Sequence, residues 1–312
     1  MRAAANPSQL KPGMRAIDAF VALAGPDLLA IDECLDALNR RDHPEDVHAL
    51  RVAVRHLRAL CWTFKPALPP AVARRWGDCL RALAHAASAV RDWDVFVMET
   101  LQPALDYEPD EPMLLGLLDS AATRRHFARE SMLARLAEIR HWPLPVLRRD
   151  LGHLAAGAGR HGAAAARRRL KAFARQRVRR GRERVRELAR QVEAENGQDV
   201  ASVHRWRIGG KRLRYAIEAL APVLPARYAK RLRRKLVKRQ GDLGSVVDAA
   251  VARRLMGECL AMMEKSAAQD SDGAAPGQHG APRPEDVQVM RPARRAARRP
   301  APKRRAAAAK PD

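Results

Sequence analysis

The sequence predicts an all-α fold, and three observations carry that expectation. Aromatic residues are only 4% of the 312-residue chain. Ala, Leu and Arg dominate instead, which favours helix and leaves little of the Val/Ile/Thr/Tyr alternation that a sheet needs. The third is a pattern that occurs twice: Val47–Leu60, VHALRVAVRHLRAL, returns as Val203–Ala216, VHRWRIGGKRLRYA.

At 100° per residue, His48, Arg51, Arg55 and Arg58 fall on one stripe of a helix, with Leu50, Val54, Leu57 and Cys61 roughly opposite. In the second copy His204, Arg207, Lys211 and Arg214 repeat the spacing, with Trp206, Leu213, Ile217 and Leu220 on the apolar side. Like charges at i,i+3 and i,i+4 each cost a helix about 0.2–0.5 kcal/mol. One such stripe is commonly a solvated face. Two in the same register ask for an anionic partner.

Taken in order, residues 1–13 read as a flexible terminus broken by Pro7, Pro12 and Gly13. Met14 to Arg40 reads as helix interrupted near Gly25-Pro26. The next helix starts near Pro44, with Glu45 and Asp46 suiting its positive end, and stops before Lys65-Pro66. A third is expected over Ala71–Ala89, then a helical run through Arg91-Asp92-Trp93-Asp94 to Leu101. Pro103, Pro109 and Pro112 mark a loop, followed by helices over Met113–Ile139 and Val146–Ala156. Gly157-Ala158-Gly159 is the boundary between halves. An Arg-rich helix spans Ala163–Val192 with Gly181 as a weak point, and the second copy begins at Asp199.

The halves align without a gap at an offset of 156 over about fifty residues. His48, Arg51, Arg58, Pro66, Pro69, Leu80 and Asp92 meet His204, Arg207, Arg214, Pro222, Pro225, Leu236 and Asp248. A whole helical unit is duplicated, so pseudo-twofold symmetry is expected.

Lys and Arg number 59 against 35 Asp and Glu, a formal charge of +24. Such a field attracts nucleic acid, polyphosphate or an anionic membrane surface. Residues 266–312 hold 10 of the basic and 5 of the acidic residues, which leaves +19 on the rest. That tail, rich in Ala, Pro and Arg, is expected to be disordered. Cys34, Cys61, Cys79 and Cys259 have neither disulfide-framework nor zinc spacing, and no run of about 18 apolar residues occurs. A cytoplasmic protein without a membrane span is the expectation.

HxxRxxxRxxR, then RDWDV, then HxxRxxxKRLRY and LGSVVD together resemble the CHAD family, helical domains named for their histidines. The resemblance covers about residues 14–265, divided into halves at about 14–156 and 160–265. It implies two antiparallel four-helix bundles, pseudo-twofold related, that bind inorganic polyphosphate along a basic central groove. It also implies that His48, Arg51, Arg55, Arg58, His204, Arg207, Lys211 and Arg214 line that groove, with association with polyphosphate granules as a further expectation. His56 departs from the family pattern, standing where a second Arg is common, and so does Arg239 beside Gln240.

No phosphate loop, HExxH, GxSxG or ExExK pattern appears, so neither a catalytic residue, a cofactor nor a metal is expected. Asp92, Asp94 and Asp248 lack the compact cluster of a metal site or general base, and Asp92 and Asp248 read first as acceptors of hydrogen bonds from the stripe cations. Arg91 could face either the ligand or Asp94. The alternatives are non-specific nucleic-acid binding through the Arg-rich helix and tail, and a metal-dependent polyphosphate-processing enzyme. Oligomeric state is not readable from these features.

Overall fold

The computed structural model describes residues 10–157, 164–195 and 199–272, without the side chains of residues 164, 200, 238–248 and 267–272. The fold is all-α. The order is α1 (Ala16–Arg40), α2 (Pro44–Phe64), α3 (Pro70–Ala86), α4 (Ser88–Phe96), α5 (Gln102–Tyr107), α6 (Pro112–His141), α7 (Leu144–Ala155), α8 (Ala164–Arg167), α9 (Leu170–Ala194), α10 (Val200–Leu220) and α11 (Ala226–Asp272). Among the described residues the only β-type pairing is an isolated bridge between Arg15 and Arg169.

The repeat reappears as matching element boundaries. α2 and α10 each have 21 residues, each is followed by a three-residue 3₁₀ turn (Lys65–Ala67 and Ala221–Val223), and α3 and α11 then begin at Pro70 and Ala226. Every one of these bounds is shifted by the sequence offset. The prolines explain the shared stop, since a ring nitrogen cannot donate to the preceding turn. α1 and α9, 25 residues each, precede them as matching partners. α1 packs on α2, α9 on α10, and α2 on α10.

The junction ahead of α1 and α9 carries a local two-fold relation. The Ala16 amide donates to the Arg168 carbonyl at 3.1 Å, and the Leu170 amide donates to the Met14 carbonyl at 2.8 Å. Exchanging the copies exchanges the two bonds. This pairing splits the expected Ala163–Val192 helix, because Arg168 and Arg169 leave helical geometry to bridge to Arg15.

Three other local expectations change. α1 runs through Pro26 without a break, with Leu23, Ala24, Asp27 and Leu28 all buried around it. Gly25 has no Cβ to clash with the ring that follows, which removes the usual obstacle to helix before proline. α3 ends at Ala86, where the Ser88 hydroxyl donates to the His85 carbonyl at 2.8 Å and competes with helical continuation. Pro103 lies inside a helical path: the backbone widens into a π-helical turn at Val97–Leu101 and continues as α5, a change that accommodates the ring against the carbonyl four residues back.

At the chain's other end, α11 extends to Asp272, beyond the residue where the tail was expected to begin; residues 273–312 lie outside the described set. Residues 1–9 and most of the Gly157–Gly159 boundary lie outside it too, although Gly157, at φ 103°, does end α7 as only glycine readily does.

The core is continuous between the halves. Phe20, Phe64 and Trp76 are fully buried, with ring centroids 5.9 Å apart for Phe20–Phe64 and 5.3 Å for Phe20–Trp76. Phe64 also stacks on Phe173 of α9 at 5.4 Å. A second cluster joins Trp93, Phe96, Leu101, Leu117 and Ala121 to Leu255 and Cys259 of α11. The C-terminal half is therefore not closed on itself.

α9 and α10 approach through reciprocal notches. A Cβ on Gly181 would lie 2.9 Å from Leu213 Cδ1, and one on Gly209 would lie 2.9 Å from Leu188 Cδ1. The glycine read as a weak point in the helix is thus the seat of a leucine. Gly181→Val is expected to lower stability by about 1–3 kcal/mol through overpacking, seen as a lower urea midpoint at unchanged slope.

Candidate functional site

The register of α2 is set at its first turn. Pro44 occupies the first helical position, the His43 ring accepts from the Glu45 amide at 3.2 Å, and Arg41 holds Asp46 with two bonds of 2.6 and 2.8 Å. The guanidinium keeps the Asp46 carboxyl below the usual carboxylate range. With Leu50, Val54, Leu57 and Cys61 buried, the cationic stripe faces away from the core.

Three stripe residues meet α4 there. His48, Arg51 and Arg55 line a cavity of about 410 Å³ together with Arg91, Asp92 and Glu99, and Ala249, Val251 and Ala252 of α11 complete its wall. Burial, then the charge of Arg91, lower the His48 pKa below the ordinary imidazole value, so the free ring is neutral near pH 7. Burial also lowers that of Arg51, whose recorded hydrogen bond is a long one, 3.4 Å to the Ala87 carbonyl. Among the described residues, none of the cavity's His and Arg side chains hydrogen-bonds to a carboxylate, although Asp92 attracts Arg51 and Arg91 through its charge.

The two acids of α4 divide their roles. Asp94 is buried and accepts from Arg125 Nε at 2.7 Å, and Arg125 also grips Asp42 with two bonds of 2.8 Å. Asp92 makes no hydrogen bond to the stripe. Burial raises its pKa, while the charges of Arg51, Arg254 and Arg91 oppose that rise. Arg91 itself lines the cavity. Its alternative partner, Asp94, is held by Arg125.

Arg58 lies apart from this cavity, toward α10, where its charge lowers the Arg212 pKa after burial has done so. Trp62, four helical turns after His48 and on the same stripe, is covered by Arg177 at 3.8 Å and approached by Arg212 at 6.0 Å. Arg177 also donates to the carbonyls of Thr63 (2.9 Å) and Trp62 (2.6 Å), capping the end of α2. Burial pulls its pKa down to about 10, with Arg180 and Arg212 adding to the effect. Trp62 could have been found from its spacing, whereas nothing in the sequence signals Arg177.

In the second copy Asp199 caps α10 by accepting from the Ala201 and Ser202 amides at 3.1 and 3.0 Å. His204 is exposed and Lys211 half-buried. Arg207 has a buried Nε without a hydrogen-bond partner among the described residues. Arg214 sits 3.5 Å from Glu218 and over the Tyr215 ring at 4.5 Å. None of these four lines the 410 Å³ cavity. Asp248, Arg239 and Gln240 belong to α11, but their side chains lie outside the described residues.

His56 is occupied elsewhere. Its Nδ1 lies 2.7 Å from an Asp27 oxygen, and this hydrogen bond raises its pKa above the ordinary value of about 6.5. A raised folded-state pKa gives stability that is fully present below about pH 6.5 and lost as pH rises through the folded pKa. The melting temperature of the parent chain should accordingly fall from about pH 6.5 upward relative to that of His56→Gln, measured by thermal scans across pH.

Among the described residues, no group of three or more His, Cys, Asp and Glu side chains is placed to hold a metal. Burial pushes the Cys34 and Cys79 thiols up to about 11, far from the range of a nucleophilic cysteine. No described helix is long and apolar enough to cross a membrane.

Fold and site together define a duplicated all-helical domain with a cationic helix in each copy. The chain belongs to the CHAD domain family, whose sequence model matches residues 28–257. It is similar to the crystal structure of the CHAD domain from the plant Ricinus communis, with 27% identity, a TM-score of 0.64, and coverage of 87% of this chain and 88% of that one. None of the curated proteins matches the chain.

Proposed function

We propose that this chain binds inorganic polyphosphate without processing it, through the basic stripes of α2 and α10, as a cytoplasmic protein associated with polyphosphate granules. The observation that carries this reading is the convergence of His48, Arg51, Arg55 and Arg91 on one cavity. Guanidinium forks suit the non-bridging oxygens of a phosphate chain and bind them as charge-assisted pairs. Membership of the CHAD domain family supports polyphosphate as the polyanion, because polyphosphate binding is what resemblance to that family implies.

The decisive experiment is competition at fixed salt between long-chain polyphosphate and duplex DNA for the full chain, with polyphosphate length followed in the presence of a divalent metal. Preferred binding of polyphosphate at constant length is the expected result. Displacement of bound polyphosphate by equal concentrations of DNA overturns the ligand, and shortening of the polymer overturns the non-enzymatic reading.

Binding is also expected to take up protons. His48 is neutral in the free chain, and an adjacent phosphate favours its charged form. Affinity should be higher at pH 6 than at pH 8, and His48→Gln should flatten that dependence in titrations at matched ionic strength.

A further inference from the structure

α11 begins with a charge pattern that helix physics disfavours. Arg227, Lys230, Arg231, Arg233, Arg234 and Lys235 fall within its first three turns without any acid among them. Cations at the positive end of a helix oppose its macrodipole, and this spacing stacks like charges at i,i+3 and i,i+4. All six are exposed. Only Arg233 has a carboxylate partner among the described residues, Glu218 at 2.9 Å.

The repeat shows that the fold does not require this charge. At the same offset α3 carries Ala71, Arg74, Arg75, Gly77, Asp78 and Cys79. There Arg75 is claimed by Asp150 of α7 at 2.5 and 3.1 Å, and the neighbouring Trp76 donates to the same carboxylate at 3.2 Å. α7 thus covers that face of α3. In the second copy the position matching the start of α6 is residue 268, and no counterpart of α7 follows among the described residues. Arg231 is the match of Arg75.

α9 extends the same surface. Arg175, Arg179, Arg182, Arg186 and Arg190 follow i+4, i+3, i+4 and i+4 spacings, which is a single stripe about 22 Å long at 1.5 Å per residue. Among the described residues, only Arg179 of the stripe has a carboxylate within reach, Glu183 at 3.8 Å. Arg182 joins the stripe to α11 by donating to the Tyr228 hydroxyl at 2.9 Å.

We propose that these faces of α9 and α11 form a second polyanion site, separate from the stripes of α2 and α10, which binds the backbone of duplex nucleic acid without reading sequence. One strand of a duplex carries about six phosphates over the length of the α9 stripe. Exposed guanidinium groups positioned against phosphates give register and affinity but no base discrimination. A protein partner would need an apolar centre to its interface. This surface offers only scattered partly exposed groups, Tyr228 and Val237.

The test is anisotropy of a fluorescent mixed-sequence 20-base-pair duplex across a salt series, with the full chain. Arg186→Gln, Arg190→Gln, Arg227→Gln and Arg231→Gln together should reduce the slope of log affinity against log salt by about 3–4, at about 0.9 per phosphate contact. The affinity at low salt should fall at least tenfold. The Arg51→Gln/Arg207→Gln chain should keep the parent slope. If the fourfold variant loses helicity, Arg190→Gln and Arg231→Gln taken singly should each reduce the slope by about 0.9. An unchanged slope, an equal loss in the Arg51/Arg207 chain, or displacement of the duplex by polyglutamate at equal charge concentration each overturns the proposal.

Discussion

Changing Arg51 and Arg207 together to Gln lowers the affinity for long-chain polyphosphate by about 100-fold or more, because each charge-assisted hydrogen bond is worth about 1.5–3 kcal/mol and about 1.4 kcal/mol is tenfold. The fold should survive the change. Among the described residues, Arg51 is half-buried with only a 3.4 Å bond to the Ala87 carbonyl, and the buried Arg207 Nε has no partner. The Arg51 guanidinium and the Arg207 Nε are thus held out of water with little return from the protein, so neutral side chains relieve a desolvation cost. Titration of each chain with polyphosphate, alongside helicity and melting temperature, checks both halves of the expectation. A melting temperature that collapses with affinity would make the stripes part of the scaffold.

The largest expected loss of stability comes from Phe64→Ala, at about 3–5 kcal/mol. The chain has only five Phe and five Trp. Phe20, Phe64, Trp76 and Phe173 gather where α1, α2, α3 and α9 meet, and Phe64 touches both Phe20 of the first half and Phe173 of the second. Truncation opens a cavity bounded by helices from both copies, which cannot all move inward together. A denaturant titration should show a lower midpoint for the whole chain, with one transition retained. Two separated transitions would show that the halves are independent folding units.

Much of this architecture was legible because helices announce themselves at short range. Pro44, Pro66 and Pro222 placed the ends of α2 and α10, and the gapless offset placed the second copy to the residue. The cationic stripe was legible for the same reason, since a period of 3.6 needs only neighbouring positions. What could not be read depends on contacts distant in sequence. Arg91 lines the cavity because Arg125, 31 residues beyond Asp94, holds that acid. Arg168 and Arg169 leave the helix because Met14 and Ala16 take their place in a bridge. His56 looked like a departure from the family's basic pattern, yet its partner is Asp27 on α1. Local rules also misjudged Gly25-Pro26 and Gly181, where tertiary burial overrides weak propensity.

The cluster that joins Trp93, Phe96 and Leu117 to Leu255 and Cys259 has a consequence for the order of folding. Its two groups lie about 140–165 residues apart, and loop closure over such a distance comes late. During synthesis the N-terminal half must wait, with Trp93 and Phe96 uncovered, until the far end of α11 has emerged. α11, made after the other described helices, is what seals the first-made half, so chains stopped before Leu255 would leave that apolar surface open to association.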